Sequence, residues 1–466
     1  MRRLAVLLMP LLAGACAVGP DYRPPQPPAP AAQAFLSTAP GTTTDAPADR
    51  WWRLYDDPVL DRLVERALAA NTDLRAAEAN LRRAQAALRE ARAAGLPHGQ
   101  VSAGANYGDD GGSGQAQGGS TQWSYNAAQT LTWELDLFGR IARSAEAARG
   151  DAGAIAATRD RVALTVAAEV TRAYADGCAL AEAVAVARSS IAIAERQLAI
   201  QQLRERAGGA SRLDSERTAT ALANIRATLP ALEGRRRATL FELAALLGAT
   251  PGDVPEDARQ CARAPAPTAA IPLGDGRALL ARRPDVREAE RRLAADTARI
   301  GVATAELYPR ISLGGSGNFL RNDQVRGGDS FTVSAGPLIA WSFPNLFAGR
   351  ARIRQAEAGA QASLALFDGA VLTALKEVEQ ALTLYAAEGE RNARLREAAT
   401  HAEAAFGLAD RRYRAGSIAL SDLLQTQRDL LDTRAALAAS SQQLGSLRVD
   451  LFKALGGGWQ AEPAPR

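Results

Sequence analysis

The chain has 466 residues, of which 47 % are hydrophobic and 5 % aromatic, and its formal net charge is +4. The scarcity of aromatic residues leaves little bulk for a thick globular core, and the near balance of 55 basic against 51 acidic residues argues against a nucleic-acid-binding protein. Alanine supplies much of the apolar fraction, which favours long helices packed side by side at close range.

The amino terminus has the pattern of a bacterial secretion signal. Two arginines precede an apolar run over residues 4–12, and this run is too short to cross a bilayer as a helix, which needs about 20 apolar residues. Small residues then lead to Cys16, as in a lipobox, although Ala13 stands three places before the cysteine, where leucine is usual. We predict a signal peptide over residues 1–15 and acylation of Cys16, and Ala17 after the cysteine implies delivery to the outer membrane. An ordinary signal peptide with an incidental cysteine is the alternative.

A proline-rich stretch follows the cysteine. Such a stretch cannot form a helix or an inner strand. Residues 16–50 are therefore predicted to be an extended, lipid-anchored tether that leads to the body of the protein.

From residue 51 onward the sequence repeats itself once. The segment Asn71–Glu78 recurs 212 residues later as Arg283–Glu290, and the Arg-Ala-Gly triplet that ends at Gly208 recurs 208 residues later, ending at Gly416. A nearly constant offset over the whole body indicates an internal duplication of one unit. The predicted domains, in chain order, are the signal peptide 1–15, the tether 16–50, the first repeat 51–260, the second repeat 261–457 and a carboxyl-terminal tail 458–466.

Each repeat is predicted to contain the same helices in the same order. A first helix runs from about Leu60 to Ala94, and again from about Gly276 to Ala305, and ends shortly before a proline. Proline-free helices of about 65 residues follow, from 141 to about 206 and from 351 to about 414, and each would reach roughly 100 Å. Return helices complete the repeats, and Pro230 is expected to interrupt and bend the first of them. In the second, leucines seven residues apart predict a coiled-coil seam at Leu423, Leu430, Leu437, Leu444 and Leu451.

A change of period predicts a β-hairpin in each repeat, over residues 101–136 and 311–341. Apolar residues there alternate with small polar ones, which suits either a soluble sheet on a core or a membrane wall with lipid outside and water inside. Aromatic residues near the strand ends favour the wall, because aromatic girdles meet the bilayer interface. Four strands cannot close a barrel in lipid, so the protein must oligomerise, and a trimer gives a wider passage than a dimer. The aromatic residues expected near the outer rim are Trp123, Tyr125, Phe319 and Phe331.

The residues that most often carry catalysis or bind metals are scarce. His98 and His401 are the two histidines, and neither has the spacing of a metal site or a catalytic triad. Cys178 and Cys261 are far apart in the sequence, and a disulfide between them in an oxidising periplasm stays open, although a buried thiol on a helix is the favoured interpretation of Cys178. We predict no enzyme, no metal site and no cofactor.

Several short motifs together resemble one family. They are Cys16-Ala17-Val18-Gly19-Pro20-Asp21-Tyr22, Trp51-Trp52, Asp57-Pro58-Val59-Leu60, the duplicated hairpins and the closing Leu455-Gly456-Gly457-Gly458-Trp459. The whole mature chain is similar to the outer membrane factors of the TolC and OprM type, particularly the lipoprotein branch often labelled NodT. The resemblance implies a mainly α fold with a membrane β-barrel. In this homotrimer, four strands per protomer would contribute to a twelve-stranded barrel, and long periplasmic coiled-coil helices would form an α-barrel.

The resemblance also implies a function. It indicates the outer-membrane exit channel of a tripartite, RND-type efflux system, which passively conducts small molecules expelled by an inner-membrane pump. A periplasmic adaptor protein would join the pump to the channel, and the channel would lie in outer-membrane lipid. The channel of a type I protein-secretion system uses the same tube and stays open as an alternative. A structural coiled-coil surface protein would not account for the paired hairpins.

Two kinds of site are expected where the long helices turn around. The resemblance implies adaptor docking at both turns, and a plain turn with flanking charges is the alternative. It also implies a closed gate just beyond the turns, where the family has a leucine, an aspartate and an arginine and this chain has Ser421, Gln425 and Arg428. The residues of the two predicted docking turns are Arg206, Gly208, Gly209, Arg414 and Gly416.

The expected gate residues share one helical face, and that face has no acidic residue before Asp432. Asp422 is also a gate candidate, but it lies six residues from Arg428, too far around the helix to pair with it. Asp214, at the equivalent turn of the first repeat, is therefore the expected partner of Arg428. A solvated surface charge at Arg428 is the alternative.

Overall fold

The computed structural model describes residues 17–26, 28, 31, 33–109, 121–343 and 346–457. The predicted signal peptide 1–15, the acylation candidate Cys16 and the predicted tail 458–466 lie outside these described residues. The chain forms two compact units. Unit 1 consists of Met1–Gln26, Asn80–Ala156 and Glu288–Asp368, and unit 2 consists of Pro27–Ala79, Ala157–Arg287 and Gly369–Arg466.

Helices make up most of the described chain, as the composition predicts. The helices are α1 (Pro58–Ala70), α2 (Thr72–Ala93), α3 (Arg140–Arg206), α4 (Arg212–Leu246), α5 (Glu256–Arg259), α6 (Gly276–Arg282), α7 (Pro284–Ala305), α8 (Leu346–Arg414) and α9 (Leu420–Ala454). The strands are β1 (Thr42–Thr43), β2 (His98–Asp109), β3 (Thr121–Leu135), β4 (Ile271–Pro272), β5 (Arg310–Arg321) and β6 (Phe331–Ala340). Short 3-10 helices lie at Trp51–Tyr55 and Gly327–Ser330.

The prediction of one continuous first helix in each repeat is wrong, because each is broken in two. Asn71 ends α1, and its side-chain oxygen accepts hydrogen bonds from the backbone nitrogens of Asp73 (2.9 Å) and Leu74 (3.1 Å), which caps the start of α2. At the equivalent position Arg283 adopts φ −62° and ψ 121°, the extended conformation that a following proline favours. Pro284 then occupies the first position of α7, where its missing N–H costs nothing.

The residues at these two breaks make equivalent contacts. Asn71 donates a hydrogen bond to the carbonyl of Leu246 at the end of α4 (3.0 Å). Arg283 donates one to the carbonyl of Ala454 at the end of α9 (2.8 Å). A helix end leaves its last carbonyls without partners inside the helix, and in both halves the break residue supplies one. The residue at the break therefore caps the carboxyl-terminal end of the return helix in both halves.

The long helices are confirmed, with one correction. Helix α4 continues through Pro230, so the predicted interruption is wrong. Pro230 is exposed, and water can therefore bond the backbone carbonyl that the missing N–H leaves without a partner. Along the predicted leucine seam of α9, Leu423, Leu430 and Leu451 are buried, and Leu437 and Leu444 are half-buried.

The main hydrophobic core lies in unit 2. The ring of Trp51 stacks on that of Phe452, with centroids 4.7 Å apart. Cys178 on α3 is buried at the edge of the same core and forms a disulfide with Cys261. The interpretation of Cys178 as a free buried thiol is therefore wrong. Because 83 residues separate the two cysteines, only the tertiary fold brings them together.

The later part of the predicted tether belongs to the folded body of unit 2. The carboxylate of Glu379 on α8 accepts hydrogen bonds from the backbone nitrogens of Leu36 (2.7 Å) and Ser37 (2.9 Å). Strand β1 then pairs in parallel with β4. The segment is extended, as its prolines predict, but its backbone groups find partners in the protein instead of in water.

Candidate functional site

The first candidate site is the antiparallel sheet of unit 1, with strand order β2-β3-β5-β6. Its register joins odd-numbered residues to odd-numbered residues throughout. Tyr107 pairs with Trp123, for example, and Trp133 pairs with Leu313. Because successive side chains point to opposite faces of a strand, the odd-numbered residues of all four strands lie on one face. The predicted two-faced hairpins are confirmed.

The odd-numbered face of the sheet is mainly apolar, with Gln129 as a polar exception, and it is exposed in the isolated chain. Val333 on this face is 86 % exposed. The even-numbered face is mainly small and polar, with Leu320 and Leu338 as exceptions, and the hydroxyls of Ser316 and Ser334 lie 2.8 Å apart on it. An exposed apolar face of this extent marks a surface that contacts lipid or protein. Its exposed large side chains are Val101, Tyr107, Trp123, Tyr125, Leu131, Trp133, Leu313, Phe331, Val333 and Ile339.

Aromatic side chains line both ends of this sheet. At the end where each hairpin turns, Tyr107 and Trp123 lie 5.3 Å apart and Phe319 and Phe331 lie 5.0 Å apart, measured between ring centroids. We call these four residues the loop-end aromatic band. They include three of the four residues predicted to lie near the outer rim, and the fourth, Tyr125, stacks on Trp123.

A second aromatic band lies at the other end of the sheet, where the chain leaves the strands for the helices. The indole nitrogen of Trp133 donates to the carbonyl of Gly95 (3.0 Å), and that of Trp341 donates to the carbonyl of Leu307 (3.2 Å). We call Trp133 and Trp341 the helix-end aromatic band. Gly95 lies in the connection from α2 to β2, and Leu307 lies in the connection from α7 to β5. The same arrangement therefore occurs once in each half of the chain.

The second candidate site is the pair of turns in unit 2. Gly208 and Gly416 have φ of 76° and 75°, and no atom of the described residues lies within 4 Å of a Cβ that either could carry. Gly209 donates to the carbonyl of Arg204 (2.8 Å) and Gly208 to that of Glu205 (3.0 Å), which is the Schellman pattern that ends a helix with a glycine in the left-handed region. The second turn repeats this geometry. The predicted docking residues Arg206, Gly208, Gly209, Arg414 and Gly416 are all exposed there.

The predicted gate residues lie close to these turns on α4 and α9. Asp214 belongs to a capping box: its carboxylate accepts from the hydroxyl of Ser211 (2.8 Å) and its backbone nitrogen donates to that hydroxyl (3.2 Å). Ser421, Asp422 and Arg428 are exposed on α9. Within the part of the chain that the structure describes, Arg428 forms no ion pair, and the predicted contact between Asp214 and Arg428 does not occur inside one chain.

One detail of the gate prediction is wrong. Gln425 donates a hydrogen bond to the carboxylate of Asp429 (2.9 Å), so an acidic residue lies beside this face before Asp432. The two residues are four apart, the spacing at which helical side chains meet. Asp429 adjoins Arg428 in the sequence and places a negative charge next to it.

The sequence analysis missed an apolar stripe on α3. Val186, Ile193 and Ile200 are seven residues apart and exposed. A neighbouring side of the same helix packs through Ala194 against Leu222 on α4. Helix α3 therefore has one seam with a partner in the chain and a second seam without one. The seven-residue spacing of these side chains is visible in the sequence, but the many alanines around them conceal the stripe.

The histidines and acidic residues do not form a metal centre in the described chain. His98 begins β2, where it pairs with Thr132, and His401 is exposed on α8. Among the residues that the structure describes, no three His, Cys, Asp or Glu side chains are placed to hold one metal ion.

Comparison with known proteins identifies the family. The family model for outer membrane efflux proteins matches residues 63–249 and 276–457. The chain belongs to this outer membrane efflux protein family. It is 32 % identical over 473 residues to nodulation protein T of Rhizobium leguminosarum bv. viciae, covering 98 % of this chain and 94 % of that protein. It is also 32 % identical over 440 residues to the pyoverdine export outer membrane protein OpmQ of Pseudomonas putida, covering 90 % of each.

A solved structure agrees with the sequence relatives. The outer-membrane channel OprN superposes with a TM-score of 0.87 and 34 % identity, over 96 % of this efflux protein and all of that chain. The predicted family and location are therefore confirmed: this is an outer-membrane efflux channel protein with a periplasmic helical extension. The family and its structural neighbours are channels, not enzymes.

Proposed function

We propose that this protein is the exit channel of a tripartite, RND-type efflux system and passively conducts small molecules that an inner-membrane pump expels. The observation that carries the proposal is the exposed apolar face of the sheet between its two aromatic bands. Such a face with a polar reverse side suits a wall between lipid and a water-filled passage. OpmQ is a pyoverdine export protein, and this relationship favours efflux over the alternative of type I protein secretion.

The spacing of the aromatic bands supports the membrane assignment. Trp123 and Trp133 are ten positions apart along the chain, and so are Phe331 and Trp341. Ten steps of about 3.3 Å give roughly 33 Å along the strand. At a strand tilt of about 40° this becomes a height of about 25 Å, the apolar band of outer-membrane barrels. In both hairpins, the distance between the two aromatic bands therefore matches the same apolar thickness of the bilayer.

The sheet and α3 both support a homotrimer. Strands β2 and β6 are the edges of the described sheet, and lipid offers no partners for the backbone groups of an open edge. Three copies would join these edges into twelve strands. The exposed seam of Val186, Ile193 and Ile200 would then pack against a helix of a neighbouring copy, as a heptad stripe requires. The equivalent joints in the two halves are consistent with an internal duplication.

The test of the proposed function is made at the turns, which we propose dock the periplasmic adaptor. Replacing both Gly208 and Gly416 with valine places side chains on two exposed surfaces and strains two left-handed residues by about 1–2 kcal/mol each. The trimer should still assemble in the membrane, but efflux should be lost. Accumulation of a fluorescent pump substrate would be measured in cells that contain the partner adaptor and pump but no other channel.

Gly327→Val is the matched control for this test. Gly327 has φ of 72°, and a Cβ there would have no described atom within 4 Å, but it lies in the hairpin between β5 and β6. It should suffer the same local strain and keep full efflux. Full efflux by the Gly208/Gly416 double variant would contradict docking at the turns. If the wild-type channel supports secretion of a protein substrate and does not change accumulation of the fluorescent substrate, the type I alternative is favoured.

We also propose that Asp214 of one helix pair and Arg428 of another hold a closed gate in the trimer. An exposed pair is worth at most about 1 kcal/mol, but three symmetric copies act together on the equilibrium between open and closed states. Arg428→Ala and Asp214→Ala should each raise single-channel conductance in planar bilayers. Ser211→Ala breaks the same capping box as Asp214→Ala but keeps the carboxylate, so its conductance should stay at the wild-type value. Unchanged conductance in both charge variants would place the gate elsewhere.

A further inference from the structure

The first described residues form a strap on unit 1. We define the amino-terminal strap as Ala17–Tyr22. Its first residues contact the short connection between β3 and α3: Val18 donates a backbone hydrogen bond to the carbonyl of Phe138 (3.2 Å). Gly139, with φ of 75°, lies so close to Ala17 that a Cβ on Gly139 would be 2.6 Å from the Ala17 Cα. The strap therefore begins in backbone contact with the junction of sheet and helix.

A pair of glycines allows the next close contact. Gly19 has φ of 93°, and a Cβ there would lie 2.5 Å from the Cα of Gly301 on α7. A Cβ on Gly301 would in turn lie 2.7 Å from Cγ of Arg143. Since real Cβ atoms do not approach other atoms so closely, this packing of strap, α7 and Arg143 requires glycine at both positions.

Arg143 is the centre of the contact. Its side chain is 6 % exposed, and its guanidinium donates to the carbonyls of Val18 (3.2 Å) and Gly19 (3.4 Å) and to the carboxylate of Asp21 (2.7 Å). Glu146, on the same helix, accepts a further bond (2.8 Å). A buried guanidinium needs all its N–H groups satisfied. Three of these four acceptors belong to the strap, so most of the hydrogen bonds that Arg143 forms within the protein exist only when the strap is docked.

The far end of the strap is also held. The hydroxyl of Tyr22 donates to the carboxylate of Glu290 on α7 (2.9 Å). Tyr22 is half-buried, whereas Arg23 after it is exposed. The two ends of the strap, Ala17 and Tyr22, are thus fixed to different elements of unit 1.

We propose that Arg143 is a positioning residue that docks the strap and so fixes the lipid anchor of this protein at the junction of β3 and α3. The role in anchoring rests on the proposed acylation of Cys16, which precedes Ala17 directly. Trp133 of the helix-end aromatic band lies six residues before Gly139. An anchor held at this junction places its acyl chains beside the band that meets the periplasmic side of the membrane. The docked strap fixes the position of the anchor relative to the sheet, whereas an undocked tether would leave that position variable.

Cleavage at Tyr22 tests the docking. Chymotrypsin cuts after tyrosine only in an accessible, extended segment, and the rate follows the population of the open state when opening is fast. The full-length mature protein, purified in detergent, would be treated with chymotrypsin and cleavage at Tyr22–Arg23 followed by mass spectrometry. Arg143→Ala should be cut at least about tenfold faster than wild type, because hydrogen bonds to charged groups are among the stronger ones. Arg143→Lys keeps the charge without the planar fork and should be intermediate.

Gly301→Ala separates docking from the loss of a charge. It leaves every charged group in place but pushes Arg143 aside, so cleavage should again be faster. The controls are Arg352→Ala, which removes an exposed arginine paired with Glu306 in the same unit, and Gly359→Ala, whose Cβ would have no atom within 4 Å in the part of the chain that the structure describes. Both should be cut at the wild-type rate.

The outcomes distinguish the strap from the anchor. Wild-type cleavage rates in Arg143→Ala and Gly301→Ala, with the oligomer intact, would overturn docking by Arg143. If Arg143→Ala fails to assemble, Arg143→Lys and Gly301→Ala decide by the same measurement. Mass spectrometry of the released amino-terminal peptide reports on Cys16 in the same sample. An unmodified Cys16 on a protected strap would support docking and overturn the anchoring proposed above.

Discussion

Replacing Arg283 with alanine should destabilise unit 2 by about 1.5–3 kcal/mol, the usual range for hydrogen bonds to charged groups, because the guanidinium is buried while its two carboxylate partners are partly exposed. The side chain is 8 % exposed, and its guanidinium bonds the carboxylates of Asp285 and Glu377 at 2.6 Å each. It also caps the carbonyl of Ala454. The alanine variant leaves a half-buried carboxylate and a helix-end carbonyl without their partner, and it opens the joint between α6, α7 and α9.

The same change should alter the pH dependence of stability. Burial alone would raise the pKa of Asp285, but the hydrogen bonds and charge of Arg283 outweigh it and hold the pKa below its usual value. A carboxyl whose pKa is lower in the folded state stabilises the fold above its unfolded pKa, about 3.9. That contribution is lost as the pH falls through the folded pKa. The difference between wild type and Arg283→Ala should therefore be larger at pH 7 than in acid below about pH 4.

Arg62→Ala is the matched control for Arg283→Ala. Arg62 bonds the carboxylate of Asp257 at 2.7 Å in the same unit, but its side chain is 61 % exposed. Its loss should cost at most about 1 kcal/mol. Denaturant unfolding of both variants in detergent, followed by tryptophan fluorescence, would measure the difference. If both variants lost the same free energy of unfolding, the burial of Arg283 would not account for its contribution to stability.

The parts of the fold that sequence could predict are those with a local signal. The hairpins were predicted to within a few residues because alternation is visible in ten consecutive positions and does not depend on the rest of the chain. The long helices followed from an absence of proline. The break at Arg283 also had a local signal, since Pro284 restricts the residue before it. A helix pattern that continues on both sides concealed that signal.

The remaining features depend on residues far apart in the chain. The disulfide between Cys178 and Cys261 and the cluster of Arg143 with the strap both join segments whose proximity only the tertiary fold creates. Arginine is common in this chain, and no local pattern marks Arg143 as buried or Arg428 as exposed. The family resemblance supplied positions for a gate and for docking turns. It could not supply the contacts, because those depend on neighbouring copies or partner proteins.

Adjacent alanines on β3 offer the sharpest test of the proposed membrane wall. Ala127 lies on the odd-numbered face, paired with Ala103 and Phe319, and Ala128 lies on the even-numbered face, paired with Ser102 and Asn318. Ala127→Arg should cost about 2–4 kcal/mol per protomer, because Ala127 is near the middle of the apolar band. Leu131→Arg should cost less, since Leu131 is two residues from Trp133 and the penalty falls toward the interface.

Ala128→Arg adds the same side chain one residue further on and should be mild, because we propose that its face lines water. It should instead shift the ion selectivity of the channel toward anions, since each copy adds a positive charge to the passage. Denaturant unfolding in lipid vesicles would measure stability, and reversal potentials in planar bilayers would measure selectivity. Ala127→Arg should destabilise the trimer without changing selectivity. If the two variants destabilise the protein equally and neither changes selectivity, the sheet does not separate lipid from water.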